Sequence, residues 1–594
     1  MKKNILLSIA IITSSVIYAQ STRIYVDNTA TSSTPDGSIW QTAYTNLQDA
    51  FDEIPNLGAD TIEIWVRATN NLYIPSPNPN PQNAFFTIPA TNKNIFVYGG
   101  FSGSEISLNQ RPQNSLTILS GDGGTPGNNS DNSPCLIRVE DPTPMNNTNV
   151  IIDGFVFQDV NYLGSGPTRG ALYILRDFVT INNCVFKNNQ TSDRGAAIST
   201  NRAIVIKNST FENNTASLYG GAIDINLGFP ASCYILNCKF FNNVALAGIG
   251  GAIKADYIAN LYLVNSLFVN NSGVYGSAAQ AFNSNINAIN CTFAKSNGSI
   301  FEGASNNTHY LVNSIIYKSS TTSMYTGSGQ LIVSNSLYDN GMMTGFNTSG
   351  TNYIADPLFK YYNDSLLAQS VFELQSCSPG INAGSNANIN YFINLGAINS
   401  DIQGKERLRD GIVDIGAYEY YKDTLIVNND SLHLQASSIY WMHQSNINDS
   451  ILIDSVHLYN CTTNQTVLSV PLSNFNGSIS PTVTGNYAII YTYKGGCSDT
   501  TECKSITITP NTSGVEGIEI SSSIYVYPNP AQNYITIEGL TTNTNYQIID
   551  ISGKIILSGK ILNDSKQLDV STLINGIYFL KVDTNTIRKV IINK

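Results

Sequence analysis

Charge is scarce in this chain. Lys, Arg, Asp and Glu make up 12% of its 594 residues, about half the usual quarter. Asn, Ser, Thr, Gly and Tyr stand in their place. The few charges sum to −11, which argues against nucleic acid and against an anionic membrane surface as partners. Histidine is rarer still. His309, His433, His443 and His457 are too scattered for ligand spacing, so no metal site is expected. Nine cysteines in so long a chain are too few for a disulfide framework. Past the N-terminus no apolar run reaches the roughly 18 residues a membrane span needs. The chain has no Gly-Lys-Ser/Thr phosphate loop, no Gly-x-Ser-x-Gly elbow and no repeated calcium-binding nonapeptide. No catalytic residue and no cofactor is assigned.

The chain does contain a repeat. Asn, then Cys or Ser, then any residue, then an apolar or aromatic one recurs at Asn183, Asn208, Asn237, Asn265, Asn290, Asn313 and Asn335. These positions are separated by 25, 29, 28, 25, 23 and 22 residues. A constant phrase at variable spacing fits stacked, equivalent turns joined by unequal loops. Short β-branched runs such as Val179-Thr180-Ile181 and Ile204-Val205-Ile206 precede the phrase. Ile181 shares a strand face with Val179 and Cys184 shares one with Phe186, so the alternation slips at Asn183. A bend there explains the slip. Each unit is then a coil of short strands, and coils stack in parallel at roughly 4.8 Å per rung. The seven Asn would form a ladder, each amide donating to the next rung and accepting from the previous one. Cys184, Cys238 and Cys291 share a column with Ser209 and Ser266. They lie two rungs apart, roughly 10 Å, too far to bridge, and read as small buried residues.

A second phrase precedes the first: Arg169-Gly170-Ala171-Leu172, Arg194-Gly195-Ala196-Ala197, Tyr219-Gly220-Gly221-Ala222-Ile223, Ile249-Gly250-Gly251-Ala252-Ile253 and Tyr275-Gly276-Ser277-Ala278. Phe186, Phe211, Phe240 and Phe268 are each followed three residues later by Asn. This resembles the paired GGAI and FxxN repeats of polymorphic outer-membrane proteins and, more broadly, the right-handed β-helices of the pectin-lyase superfamily. The fold expected is all-β: a right-handed parallel β-helix followed by two small β-sandwich domains.

Residues 1–19 read as a signal peptide: Lys2 and Lys3, an apolar core from Ile5 to Val16, and Ala19 before the cleavage point. Residues 20–125 read as an N-terminal cap and first coils, the coils beginning near residue 95. Residues 126–420 hold the β-helix and a closing segment, with Ser378-Pro379-Gly380 and Val413-Asp414-Ile415-Gly416 resembling the end of such helices in cell-surface proteins. The C-terminal cap is placed there. Residues 421–510 show strand-like stretches at Leu432–Leu434, Ser450–Tyr459, Thr466–Val470, Tyr487–Tyr493 and Ser505–Thr509, an immunoglobulin-like sandwich. Cys497 with Cys503, or either with Cys461, is the candidate disulfide. Residues 511–523 are a linker. Residues 524–594 carry Val526-Tyr527-Pro528-Asn529-Pro530, Ile548-Ile549-Asp550-Ile551-Ser552-Gly553-Lys554 and Asn575-Gly576-Ile577-Tyr578. They resemble the C-terminal sorting domain of the type IX secretion system. The resemblance implies contact with that machinery and a location at the outer-membrane surface or outside the cell.

Residues after the Gly-Ala phrase form outward columns. Asp224 and Lys254 are equivalent on adjacent rungs, with Asp256 two residues on, and read first as a solvated pair. Arg169, Arg194, Tyr219 and Tyr275 share another column. An extracellular polysaccharide or cell-surface glycan could lie along these side chains, with Tyr rings on sugar faces and Arg on a carboxylate. Acids are sparse, so the reading is a non-catalytic glycan-binding or adhesion protein. The alternative is a polysaccharide lyase or glycoside hydrolase acting on an acidic polysaccharide, which rests on fold and export alone.

Overall fold

The computed structural model describes residues 21–593 apart from 76–83, 142–147, 163, 165–169, 320–322, 340–343, 362–370, 388, 390–399, 409, 422–438, 443–452, 472–475, 480–484, 494–497, 501–502, 507–524, 539–543, 551–553, 562–566 and 583–585. The chain forms two compact units, Met1–Thr509 and Pro510–Lys594.

One rung shows how sequence makes the coil. Val179–Asn182 runs straight, bends at Asn183, continues as Val185–Lys187, bends at Asn188, and passes through Gln190–Thr191 to a glycine turn before Ile198–Thr200. The seven Asn of the repeated phrase all have φ between 48° and 58°. That left-handed region is unfavourable for most side chains, and Asn tolerates it. The bend therefore selects the residue. Successive rungs pair in parallel: Phe157, Phe186, Phe211, Phe240, Phe268 and Phe293 occupy one register. Among the described residues the three parallel sheets hold 19, 10 and 4 strands. The first contains the strands like Val179–Asn182 and Ile198–Thr200; the second contains those like Val185–Lys187. The coils start earlier than expected, because Ser21–Val26 already pairs in parallel with Thr61–Arg67.

The phenylalanines stack inside the coil with ring centroids 4.7, 5.0, 4.7, 4.6 and 5.1 Å apart. All are buried. Phe211→Ala is expected to cost roughly 3–5 kcal/mol, from lost burial and an unfilled cavity. Urea unfolding would read this, and a loss under about 1 kcal/mol would show that the stack contributes little. Beside the rings runs an asparagine file, Asn189, Asn214, Asn243 and Asn271, all buried. The first three donate to the next rung's Oδ1 at 2.9 Å. All four donate to a phenylalanine carbonyl at 3.0 Å.

The helix Leu47–Glu53, N-capped by Asn46, packs Leu47, Ala50 and Phe51 into the same core as Ile24, Val26, Ile62 and Ile64. It covers the open edge of the first rungs, as a solenoid requires. In the stretch where the C-terminal cap is expected, the described residues Ile402, Ile415, Ala417 and Tyr418 pack along the flank of the second sheet. Outward positions there read Gln158, Lys187, Glu212, then Phe241, Val269, Ala294 and Tyr317. Once that face turns apolar it needs cover, and Ile402, Ile415, Ala417 and Tyr418 supply it. Asn265 donates to the Ser400 carbonyl, Asn290 to that of Asp414 and Asn313 to that of Ser385.

This attachment buries charge. Burial pushes the Glu419 carboxyl up to about 8, outweighing the Arg407 guanidinium 3.3 Å away that favours ionisation. Its folded value exceeds the free value of 4.5. The folded state then holds a proton the unfolded chain has lost, so stability should fall as pH rises between those values. His309 has the opposite sign. Burial lowers its value from 6.5 to about 4, while Nδ1 accepts from the Ile286 N–H at 3.1 Å. Stability should therefore fall as pH drops from 6.5 towards 4. Thermal midpoints against pH should flatten on the alkaline side for Glu419→Gln and on the acid side for His309→Phe. An unchanged slope in either variant would remove that residue from the account.

Among the described residues a two-stranded antiparallel pair, Ile439–Met442 with Asn476–Ile479, and a five-stranded antiparallel sheet follow, the latter including Ile453–Asn460, Gln465–Pro471 and Gly485–Tyr493, with a disulfide between Cys461 and Cys503. The expected strand Leu432–Leu434 lies outside the described residues. Among the described residues of the second unit, a three-stranded and a four-stranded antiparallel sheet enclose Ile535, Ile537, Ile548, Leu580 and Val590. The protein is thus all-β, a parallel β-helix followed by small antiparallel sheets.

Candidate binding face along the first sheet

Register builds the site. On the first sheet Thr87, Arg138, Tyr173, Ser199, Asp224, Lys254, Gln280, Glu302 and Thr326 are paired rung to rung. Their neighbours Leu172, Ile198, Ile223 and Ile253 are buried in the core. Alternation therefore turns the polar file to the outer side. A second column lies beside it: Arg194, Tyr219, Ile249 and Tyr275 are bridged in order. Arg169 lies outside the described residues.

The two columns meet. The Lys254 ammonium stands 5.1 Å from the centre of the Tyr219 ring, and the Arg194 guanidinium 5.2 Å from it. Lys254 is 3.8 Å from Asp224 and closer to Asp256, to which it also donates a hydrogen bond. The expected solvated pair is in fact buried: Asp224 is 2% exposed, Lys254 6% and Asp256 8%. The Tyr219 ring, from the turn before Asp224, stands beside the Lys254 ammonium and helps to cover it, while the Lys254 rung itself places Ile249 at that position. Tyr275 at the edge is 48% exposed.

The structure adds two residues. Gln280 is 4% exposed. Glu302 is partly buried, and burial and then the Asp256 carboxylate raise its proton affinity above the usual range. Three buried oxygens here accept no hydrogen bond: Asp256 Oδ1, Gln280 Oε1 and Glu302 Oε2. Gln280 was legible, because it follows Ala278-Ala279 as Asp224 follows Ala222-Ile223. Glu302 was not, because its rung replaces the Gly-Ala phrase with Gly298-Ser299-Ile300-Phe301.

The predicted Asn ladder residues lie at one bend. Asn237 donates to Asn208 at 2.7 Å, Asn265 to Asn237 at 2.8 Å and Asn313 to Asn290 at 3.0 Å. Each donates to the preceding rung, opposite to the expected direction, and Asn208 donates to Asn182 instead of Asn183. The file that donates forward is the buried one. Cys184, Cys238 and Cys291 are free and buried, their thiols pushed up to about 12 by burial. Among the described residues no group of three or more His, Cys, Asp or Glu is placed to hold a metal, and no helix is long and apolar enough to cross a membrane.

These features define a class: a parallel β-helix with a polar outer file, ending in a small antiparallel domain. Residues 525–593 match the family described as the secretion system C-terminal sorting domain. The chain therefore ends in a type IX secretion sorting domain, which directs it to the cell surface or beyond through that machinery. No curated protein matches the chain. Among solved structures, the crystal structure of a tailspike protein gp49 from Acinetobacter baumannii bacteriophage Fri1, a capsular polysaccharide depolymerase, is similar with a TM-score of 0.28 and 9% identity. The match covers 83% of this chain and 81% of that one. At that score the likeness carries no functional argument.

Proposed function

We propose that this is a secreted or surface-displayed protein that binds an extended glycan along the outer face of the first sheet, without catalysis. One observation carries the reading: the unbroken polar file from Thr87 to Thr326, flanked by Arg194, Tyr219 and Tyr275. A strand-to-strand rise of roughly 4.8 Å offers repeated polar contacts to a polymer of repeated units. The division of the chain that goes with it is a signal peptide at 1–19, cap and coils to 420, a sandwich at 421–510, a linker at 511–523 and the sorting domain at 524–594. The full chain should bind members of a glycan array. Tyr219→Ala with Tyr275→Ala should weaken binding about tenfold, because aromatic contact contributes roughly 0.5–1.5 kcal/mol per ring. An array without binding would sink the reading and leave a structural stalk.

A second reading, glycoside hydrolysis, is favoured by the Glu302 carboxyl, whose proton affinity burial and then the Asp256 carboxylate raise, the direction of shift that suits an acid protonating a leaving oxygen. New reducing ends released by the full chain and lost in Glu302→Gln would replace the binding reading with this one. Unsaturated, ultraviolet-absorbing products would point to a lyase.

A further inference from the structure

We propose that the Asp256–Gln280–Glu302 stretch of this face is a subsite for hydrogen-bond donors, selecting a sugar polymer that carries hydroxyls or amines and rejecting one that carries carboxylates. The inference rests on the glycan-binding reading and goes further by stating the ligand's chemistry. Lys254, Gln280 and Glu302 are consecutive in register, and Asp256 stands two residues beyond Lys254 on its strand. Asp256 Oδ1, Gln280 Oε1 and Glu302 Oε2 are acceptors with no donor. Two of them belong to buried residues, Gln280 at 4% exposure and Asp256 at 8%. Buried acceptors are normally satisfied, so three together point to a ligand that brings O–H or N–H groups.

Charge sets the sign. In the file Asp224, Lys254, Gln280 and Glu302 the cation is Lys254, and Asp256 and Asp224 already engage it. Arg194, in the neighbouring column, is held 3.2 Å from Asp193. A carboxylate arriving at Glu302 would meet like charge at short range and no free cation among the described residues of the file. Burial and Asp256 already raise the Glu302 carboxyl. That strain is relieved by an amine, left alone by a hydroxyl and increased by a uronate.

The test is titration calorimetry of the full chain with oligosaccharides of matched length and linkage type: a glucose polymer, a glucosamine polymer and a galacturonate polymer. The glucose or glucosamine polymer should bind at least about tenfold tighter than the galacturonate. Glucosamine ahead of glucose would identify the amine as the donor, and the reverse the hydroxyl; either supports the subsite. Glu302→Gln should weaken glucosamine binding and leave galacturonate weak, while Glu302→Lys should narrow or reverse the preference. The isosteric variant carries the test if the lysine variant does not fold, with the thermal midpoint as the check. Tighter binding of galacturonate would overturn this inference and leave the glycan-binding reading standing. Binding of none would overturn both. Binding abolished by a chelator would show that the oxygens serve a divalent cation and would also overturn it.

Discussion

Asn214→Ala is expected to disrupt the central rungs, at a cost of about 3–6 kcal/mol. The side chain donates to the Phe186 carbonyl at 3.0 Å and to Asn243 Oδ1 at 2.9 Å, and its own Oδ1 accepts from the Asn189 amide at 2.9 Å and the Asn189 backbone N–H at 3.3 Å. Alanine removes all four bonds at a site with 0% exposure, where water cannot replace them without entering the core. Each stranded buried polar group costs roughly 1–3 kcal/mol, against a typical total stability of about 5–15 kcal/mol. Rungs of a solenoid depend mainly on their neighbours. Hydrogen exchange should therefore rise first in the rungs around Phe186, Phe211 and Phe240, with the small antiparallel domains still protected. Asn208→Gly is the control. It keeps the positive φ available and removes only exposed amide contacts, so it should cost about 1 kcal/mol or less. Equal losses at the two sites would refute the distinction between a buried and an exposed file.

Deleting residues 525–593 should abolish appearance of the protein at the surface and in the medium, and trap it inside the outer membrane. The effect should be close to all-or-none, because the segment is read as an address. It has a core of its own around Ile535, Ile548, Leu580 and Val590. Residues 510–594, fused to an unrelated exported protein, should therefore redirect that protein outwards. Immunoblots of cell, membrane and medium fractions would show it. Undiminished secretion of the deleted chain would sink the assignment.

The bends were legible because left-handed backbone needs a particular residue, and Asn183 through Asn335 supply it at each rung. The stacked phenylalanines were legible because parallel register places like on like. What covers a face was much less so. No local pattern marks the apolar run Phe241, Val269, Ala294 and Tyr317 as covered by Ile402, Ile415, Ala417 and Tyr418, which lie far along the chain. The same holds for Asp224 and Lys254, which a one-dimensional reading left in water.

The sequence by itself determined the coil, its register, its Asn and Phe files and the sorting tail. Each depends on a residue's own backbone preference or on repetition at a fixed place in the rung. Tertiary structure decided which polar file is buried, which way each ladder donates, where the closing segment lies, and that Glu302 joins Asp256 and Gln280. Those outcomes depend on solvent exclusion and on groups brought together by stacking and chain return, which no local pattern encodes.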